Sequence, residues 1–201
     1  MLYEFSRLGF AIYLKLLFRI KIYGRDNLPE SPYIIVSNHS SIADPPLIGI
    51  SCSRHRIDFM AKKEVFEIPV FGTWAKNVGC ISVKRGENSV QSLKEAIRRL
   101  KKGHVVGVFP EGTRSLDGKL QEAKRGIGFL IAKAKVPILP VFINGSNDAA
   151  PKYGKIKYGA NISVTIGKPV KVEEYESIVQ DNDYEEIGKF MMKKILDLSE
   201  R

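Results

Sequence analysis

The stretch SNHSSIADPP, residues 37–46, decides how the fold is read, because it follows an apolar run, YIIV, and holds a histidine and an aspartate. On one continuous helix, five residues turn through about 500°, so His39 and Asp44 would point well apart. The apolar run is typical of a short buried strand, and Asp44 followed by Pro45 is typical of a helix N-cap with proline at the first helical position. The sequence therefore predicts a strand-to-helix loop on which the His39 imidazole can meet a carboxylate.

Strand-like and helix-like segments alternate along the chain on both sides of this loop. Period-two or apolar runs predict further strands at 80–85, 104–110, 136–144 and 161–167, and helical spacing predicts helices at 45–52, 90–102, 124–135 and 184–198. Pro140 predicts that its strand is an edge strand or pairs irregularly. No repeat or long linker interrupts the order, so we expect a single α/β domain over residues 23–201, with a mixed, largely parallel central sheet flanked by helices.

Residues 1–22 predict an amphipathic helix that precedes this domain. Four charged residues, together with Ala11, step by three or four and form a narrow stripe, which leaves a wide apolar face. The stripe is Glu4, Arg7, Ala11, Lys15 and Arg19. Such a helix can lie in a membrane interface, and the alternative is an ordinary helix packed on the core. The segment has neither about 20 uninterrupted apolar residues nor the small-residue cleavage pattern of a secretory signal. We interpret it as a membrane-interface helix.

The composition indicates a folded protein with an anionic partner. Of 201 residues, 44% are hydrophobic and 27% are charged, and the formal net charge is +10. That charge favours nucleic acid, an acidic membrane surface or a phosphorylated small molecule as the partner, although a merely soluble basic protein is the alternative. The basic run at 98–102 lies on the polar side of a predicted helix, which favours a solvated face. Cys52 and Cys80 form no C-x-x-C pattern, and this predicts a reducing, intracellular setting.

Three predicted strand ends carry chemically useful side chains. His39 follows the first strand, Arg85 the second, and EGTR (111–114) follows the strand at 104–110. If these strands are parallel neighbours, their carboxyl ends meet at one crevice of the sheet. Guanidinium groups there match phosphate oxygens in bidentate fashion. The alternatives are that Arg85 is a solvated strand end and that Arg114 pairs with Glu111.

A histidine oriented by an aspartate is a general base, and here it is expected to activate a hydroxyl of the substrate. A serine hydrolase is disfavoured, because no G-x-S-x-G elbow exists to present a serine. His55 and His104 have no ligand-like spacing to His39, so no metal site is predicted. The competing interpretation of Asp44 is a helix cap that happens to follow a histidine.

Four ordered blocks give the sequence a family resemblance. NHSSIAD (38–44) resembles the N-H-x-S-x-x-D block of the glycerolipid acyltransferases, and FPEGTRS (109–115) resembles their E-G-T-R block. GCISVKR (79–85) is similar to the intervening block that ends in arginine, and VPILPV (136–141) to the fourth, proline-bearing block. The blocks cover residues from about 30 to 145, and the bacterial 1-acylglycerol-3-phosphate acyltransferases are the most similar branch.

The resemblance implies acyl transfer from acyl-CoA or an acyl-carrier protein to the 2-hydroxyl of lysophosphatidic acid, which yields phosphatidic acid. It implies that His39 is the base and Asp44 its orienting partner. It assigns the phosphorylated acceptor to Arg85 and to the E-G-T-R block, which comprises Glu111, Gly112, Thr113 and Arg114. The AKRG element at 123–126 adds Lys124 as a phosphate contact. No cofactor or metal is implied beyond the thioester co-substrate.

Three other functions are compatible with the sequence. The chain can acylate another lysolipid headgroup, it can be a thioesterase that uses the same base on water, or it can be a noncatalytic basic protein that binds membrane or nucleic acid. A nonspecific nucleic-acid binder would have no use for the pair of His39 and Asp44, so we expect no nucleic-acid partner. We expect a peripheral, monotopic protein on the cytoplasmic face of the cell membrane, bound to an anionic lipid surface.

Overall fold

The structure is a computed structural model that describes residues 1–83, 89–180 and 183–200. Within these residues, a seven-stranded sheet forms the centre of the protein. Its strands follow the order β1-β7-β6-β2-β5-β3-β4 across the sheet. Their bounds along the chain are β1 (Arg19–Tyr23), β2 (Ile34–Ser37), β3 (Ile57–Lys62), β4 (Ile81–Val83), β5 (Val105–Val108), β6 (Ile138–Asn144) and β7 (Asn161–Ile166).

Helices cover both faces of the sheet. Their bounds are α1 (Leu2–Leu17), α2 (Asp44–Ser51), α3 (Phe71–Asn77), α4 (Ser89–Lys101), α5 (Arg125–Ala134), α6 (Ser146–Ala149), α7 (Glu176–Gln180) and α8 (Tyr184–Leu196). The expected α/β fold with a mixed, largely parallel sheet is therefore confirmed. Strands β1 and β3 and helices α3, α6 and α7 were not predicted from the sequence.

Every neighbouring pair of strands is parallel except β6 and β7. Strands β2, β3, β4, β5 and β6 consequently end at one side of the sheet, which we call the carboxyl edge. The predicted site requires that the strands before its residues are parallel neighbours. Strands β2 and β5 meet this condition, because they pair directly and in parallel. The condition is not met for β4, because β3 and β5 lie between β4 and β2.

Strand β2 lies at the centre of the core and supplies both of its halves. Ile35 packs with α1 and α2 on one face, while Ile34 and Val36 pack with α4, α5 and α8 on the other. All three side chains are fully buried. Burying such a side chain stabilises a protein by about 1.5–3 kcal/mol, so the position of this strand is strongly fixed.

Pro140 lies inside the sheet, so the expectation of an edge strand is wrong. Strand β6 has β2 on one side and β7 on the other, and Pro140 is paired with Val36 of β2. The alternative of irregular pairing describes the observed position better. The ladder between β6 and β7 stops at Val141, and beyond it the Pro140 carbonyl accepts from the Gly167 amide at 2.9 Å. Proline has no backbone N–H to donate, and Pro140 lies where the antiparallel ladder ends.

The N-terminal helix is shorter than the predicted segment 1–22. It ends at Leu17, and Arg19–Tyr23 form β1, which pairs in parallel with β7. The alternation of Ile20 and Ile22 with polar residues is the period-two pattern of a strand, and it overrides the helical stripe there. Phe18, between helix and strand, is extended and buried. Arg19 therefore belongs to the sheet and not to the helix.

Helix α1 packs on the domain through a partly polar face and leaves much of its apolar face exposed. The guanidinium of Arg7 donates to the Ser53 carbonyl, and Trp74 Nε1 donates to Ser6 Oγ at 2.8 Å. Phe5 and Leu16, by contrast, are 70% and 80% exposed. The exposed apolar set, here called the outer face of α1, is Leu2, Phe5, Leu8, Ile12, Tyr13 and Leu16. Within the part of the chain that the structure describes, no helix is long and apolar enough to cross a bilayer.

Helix α1 runs from the edge of the sheet where β3 begins to the carboxyl edge. At its start, the Tyr3 hydroxyl accepts from the amide of Ile57, the first residue of β3. At its end, the Leu17 carbonyl accepts from the Gly159 amide at 2.7 Å. Gly159 precedes β7, which begins at the carboxyl edge because it runs antiparallel to β6. The last turn of α1 is therefore near the carboxyl edge.

Candidate active site

His39 lies on the loop that leaves β2 at the carboxyl edge, and its backbone is held from both sides. Its amide donates to Glu111 Oε1 at 2.9 Å, and its carbonyl accepts from the Ser115 amide at 2.7 Å. The preceding residue, Asn38, bonds both backbone groups of Ile143 on β6 at 2.8 Å. The loop is thus joined to the strands on each side of β2, and the histidine has a fixed position.

His39 and Asp44 form the pair that the sequence predicted. The imidazole Nδ1 is 2.8 Å from Asp44 Oδ2. One face of the imidazole ring stacks on the ring of Phe109, with 4.0 Å between the ring centroids. The carboxylate is completely buried, whereas the His39 side chain is 17% exposed. A carboxylate at Nδ1 favours the tautomer that protonates Nδ1 and leaves Nε2 as an acceptor. No described group is hydrogen-bonded to Nε2, so that nitrogen is available to a substrate.

The predicted helix cap is wrong in detail, because Asp44 is the first residue of α2 and Ala43 occupies the cap position. Asp44 Oδ2 accepts backwards, from the amides of Ser40 and Ser41, both at 2.7 Å. A forward cap would need amide donors in the first turn. Positions 45 and 46 are prolines without an N–H, and the Leu47 amide already donates to the Ala43 carbonyl at 2.9 Å.

The two serines beside His39 have structural partners. Ser40 Oγ is 3.0 Å from Ser146 Oγ, and Ser41 Oγ donates to the Ala150 carbonyl at 2.7 Å. Both side chains are buried. Neither hydroxyl is bonded to the imidazole, so the geometry disfavours a serine nucleophile and agrees with a base that acts on a substrate hydroxyl.

Glu111 is buried beneath the histidine loop and faces protein donors. Oε1 accepts from the His39 amide, and Oε2 accepts from Gln121 Nε2 at 3.0 Å. Burial raises the pKa of this carboxyl to about 7, with the negative charge of Asp44 as a smaller cause and the two donors acting in the opposite direction. The resemblance gave Glu111 a contact with the acceptor, which stays a prediction. What the geometry itself provides is a link between the loops after β2 and β5.

The remaining residues of the E-G-T-R block form a turn at the end of β5. The Gly112 amide donates to the Phe109 carbonyl at 3.0 Å, and the positive φ of 67° at Gly112 is a conformation that glycine adopts without strain. Thr113 and Arg114 are half-buried. Arg114 makes no hydrogen bond or ion pair with the residues described, so it does not pair with Glu111. Its charge is available to a ligand.

Lys124 lies beside this turn, although ten positions or more separate it from the turn in sequence. Its amide donates to the Pro110 carbonyl at 2.9 Å, and its Cγ would lie 3.3 Å from a Cβ placed on Gly112. The side chain is exposed, so its ammonium group can reach solvent near Arg114. Arg85, the remaining predicted phosphate contact, lies outside the described residues.

Sequence reasoning missed three residues that shape the site. Asn38 fixes the loop on β6, Phe109 supports the imidazole, and Gln121 bonds Glu111. Asn38 and Phe109 stand inside the quoted blocks, so their place next to His39 and Glu111 was a usable signal. Gln121 has no such signal, because its role depends on the path of the loop after the turn. Among residues 1–83, 89–180 and 183–200, no group of three His, Cys, Asp or Glu side chains could hold a metal ion.

These features place a buried pair of His39 and Asp44 at the carboxyl edge of an α/β sheet, next to a guanidinium that has no partner among the described residues. A family model described as acyltransferase matches residues 19–144. The chain therefore belongs to the acyltransferase family and is an O-acyltransferase.

Individual relatives show the same likeness. The chain is 26% identical over its full length to the 1-acyl-sn-glycerol-3-phosphate acyltransferase of Bacillus subtilis, of which it covers 98%. It is 35% identical over 82% of its length to the chloroplastic enzyme of that name from Arabidopsis thaliana, but covers 47% of it. The crystal structure of the 1-acyl-sn-glycerophosphate acyltransferase from Thermotoga maritima matches the whole chain with a TM-score of 0.78 and 28% identity, and 79% of that protein is covered.

Glu111 gives the stability a characteristic pH dependence. Its folded pKa is about 7 and its ordinary value is 4.5, so between these values the folded protein keeps a proton that the unfolded chain releases. We expect the free energy of unfolding of the wild type to fall, relative to Glu111→Gln, as the pH rises from about 4.5 to about 7. Urea denaturation of both proteins across this range measures it. Glu122→Gln, at an exposed neighbour, should follow the wild type, and parallel curves for wild type and Glu111→Gln would contradict the assignment.

Proposed function

We propose that this protein transfers an acyl chain from acyl-CoA or an acyl-carrier protein to the 2-hydroxyl of 1-acyl-sn-glycerol-3-phosphate, which forms phosphatidic acid. The observation that carries the proposal is the bond between His39 Nδ1 and Asp44 Oδ2, which leaves Nε2 available. The half-buried Arg114, without a protein partner among the described residues, supports a phosphorylated acceptor. The names of the related enzymes support the same acceptor.

In the proposed reaction, His39 Nε2 takes the proton of the acceptor hydroxyl as that oxygen attacks the thioester carbonyl. Asp44 stabilises the resulting imidazolium through Nδ1, and its buried position makes that interaction strong. The tetrahedral intermediate then expels the thiolate, and the proton from Nε2 yields the free thiol. Because a thiol has a pKa of ~8.5, it is a good leaving group and transfer needs no acyl-enzyme.

The proposed phosphate site is the turn after β5. Arg114 supplies a guanidinium that can bind two phosphate oxygens at once, and the exposed Lys124 beside Gly112 adds a second positive charge. Thr113 and Arg85 keep the acceptor-binding roles that the family resemblance implies. The Ser115 amide binds the His39 carbonyl, so the turn and the base are directly joined. A phosphate held at this turn would therefore be oriented with respect to the base.

The protein is proposed to reach its lipid substrates as a monotopic membrane protein on the cytoplasmic face, where acyl thioesters are available. The outer face of α1 offers the apolar surface that would enter the interface. Lys15 is exposed on the same helix, but Arg7 is turned towards the domain and bonded to Ser53. Insertion therefore depends on apolar burial more than on the cationic stripe that the sequence suggested.

The proposed role of His39 as the base is tested by substitution. We expect His39→Ala to lower the rate of transfer by ~10²–10⁴-fold, because the acid–base contribution to the transition state is lost. Asp44→Asn should remove most of the activity, because an amide cannot stabilise an imidazolium by its charge. The measurement is acyl transfer from acyl-CoA to lysophosphatidic acid, per folded molecule, with hydrolysis recorded when lysolipid is omitted.

His104→Ala is the matched control, since His104 lies near the opposite edge and is bonded to Asp58. Near-normal turnover by a folded His39→Ala protein would end the assignment of the base. Loss of thermal stability in Asp44→Asn, with activity per folded molecule intact, would make Asp44 purely structural. Equal thioester cleavage with and without lysolipid would identify a thioesterase instead.

Arg114→Ala should weaken the use of the phosphorylated acceptor. A charge-assisted hydrogen bond contributes about 1.5–3 kcal/mol, so the KM for lysophosphatidic acid should rise roughly tenfold or more. Arg114→Lys should recover part of the loss, because an ammonium group cannot form the bidentate contact. Steady-state kinetics with varied acceptor measures this, and Arg98→Ala on α4 is the control. Damage confined to the acyl-CoA dependence would place Arg114 in the donor site.

The outer face of α1 is tested by replacing Leu8 and Leu16 together with glutamine. We expect vesicle binding to fall by roughly tenfold or more, because each leucine loses about 1.5–3 kcal/mol of apolar burial. The free energy of unfolding should stay within about 0.5 kcal/mol. Leu14→Ala, at a buried position of the same helix, should instead cost about 2–5 kcal/mol of stability. Flotation with anionic vesicles and urea denaturation measure the two effects.

Substitutions are the cleaner test of α1, because deleting residues 1–20 would also remove the buried Leu14 and Phe18 and the start of β1. If the double glutamine variant floats as well as the wild type, the outer face of α1 is not the anchor.

A further inference from the structure

The segment Lys152–Tyr158, between α6 and β7, is an exposed run in which lysines alternate with apolar side chains. Its sequence is KYGKIKY. Tyr153 and Tyr158 are 78% and 75% exposed, and Ile156 is 41% exposed. Three lysines, at 152, 155 and 157, lie among them. Aromatic side chains are normally at least partly buried against other protein. The exposure of two tyrosines on one short loop therefore needs a physical reason.

The position of this loop is fixed at both ends by hydrogen bonds to elements already described. At one end, Ala150 precedes the loop and its carbonyl accepts from Ser41 of the histidine loop. At the other end, the amide of Gly159, which follows the loop, donates to Leu17 at the end of α1. Inside it, the Lys157 amide donates to the Ala149 carbonyl at 2.8 Å. The loop therefore lies at the carboxyl edge, between the histidine loop and the last turn of α1.

We propose that residues 152–158 form a second membrane contact, which binds an anionic bilayer surface and brings the carboxyl edge of the sheet onto it. This inference rests on the proposed function, since it supposes an acceptor that lies in a membrane. The lysines match anionic headgroups in charge, and the two tyrosines match the depth at which aromatic rings with a polar tip are most stable in a bilayer. Tyr153 is already accompanied by Lys152, whose Nζ is 5.5 Å from the ring centroid.

Two further observations favour a lipid surface as the occupant. The neighbouring Leu16 is the most exposed residue of the outer face of α1 and is one residue from Leu17, to which the loop is bonded. Ile42, on the histidine loop itself, is 71% exposed. Apolar exposure thus continues from α1 across this loop to the site. A solvated loop would need the lysines only and would gain nothing from exposed tyrosines beside the site.

The experiment compares two pairs of lysine substitutions in the full chain. Lys155→Gln with Lys157→Gln removes two charges from the loop, and Lys101→Gln with Lys102→Gln removes two exposed charges at the opposite edge of the sheet, before β5. The probe is flotation with vesicles of phosphatidylglycerol and phosphatidylcholine at low salt. We expect the loop pair to lower partitioning by roughly 25-fold, since each lysine near an anionic surface contributes about fivefold, and the control pair to change it little.

The apolar half of the contact has its own variant. Tyr153→Ser with Tyr158→Ser should lower partitioning even into vesicles of phosphatidylcholine alone, where the lysine pair should have little effect. Because both tyrosines are exposed, their replacement should leave the unfolding transition in place. A Tyr153→Trp variant should also show emission that bromine-labelled lipid quenches, measured against the wild type, whose single tryptophan is Trp74.

Two outcomes would overturn the proposal, and a third would separate it from the proposed function. Equal losses in the loop pair and the control pair would mean that net charge alone attracts the protein to vesicles. Unchanged partitioning, together with weaker use of a carrier-bound donor relative to acyl-CoA, would make the loop a docking site for an acidic carrier protein. Flotation needs no turnover, so a wild type that binds vesicles through this loop but transfers no acyl chain would refute the proposed function and leave the loop assignment standing.

Discussion

One buried carboxylate oxygen holds the candidate site together. Asp44 Oδ2 accepts from the His39 imidazole and from two backbone amides of the same loop, and the protein leaves it no exposure to water. Three donors on one oxygen fix both the path of the loop and the direction of the ring. The remaining oxygen, Oδ1, is buried and has no partner among the described groups, so the orientation of the carboxylate depends on Oδ2 alone. The chemistry at Nε2 depends on this arrangement.

A second buried carboxylate extends the same constraint to the neighbouring strand. Glu111 ties the amide of His39 to the turn after β5, while the Ser115 amide ties the carbonyl of His39 to the same turn. His39 and the proposed phosphate site are therefore parts of one hydrogen-bonded unit built on two adjacent parallel strands. The pairing of Asn38 with Ile143 adds β6 to this unit. A displacement of any of these strands would move His39 relative to the proposed phosphate site.

The sequence predicted those parts of the structure that local patterns encode. The strand before His39 follows from an apolar run, and the helix that begins at Asp44 follows from two prolines. The pairing of His39 with Asp44 follows from the turn between them. Strand β1 was missed because its alternating isoleucines directly follow a helical stripe, and the two periods overlap at Arg19. The central place of β6 was missed because a proline usually marks an edge, and only the pairing of β6 with β7 shows where the missing donor falls. Partners distant in sequence, such as Gln121 for Glu111, follow from tertiary structure and have no local pattern.

Phe18 has a consequence for how the enzyme can be oriented. It is the only residue between the end of α1 and the start of β1, it is extended, and it is buried in the core. A flexible tether would let the catalytic domain rotate freely above a surface, but this junction has no rotatable, solvated linker. The angle between the helix axis and the sheet is consequently a built-in property of the domain. If α1 binds a membrane as proposed, the plane of the helix also sets the height and tilt of His39 above the lipid headgroups.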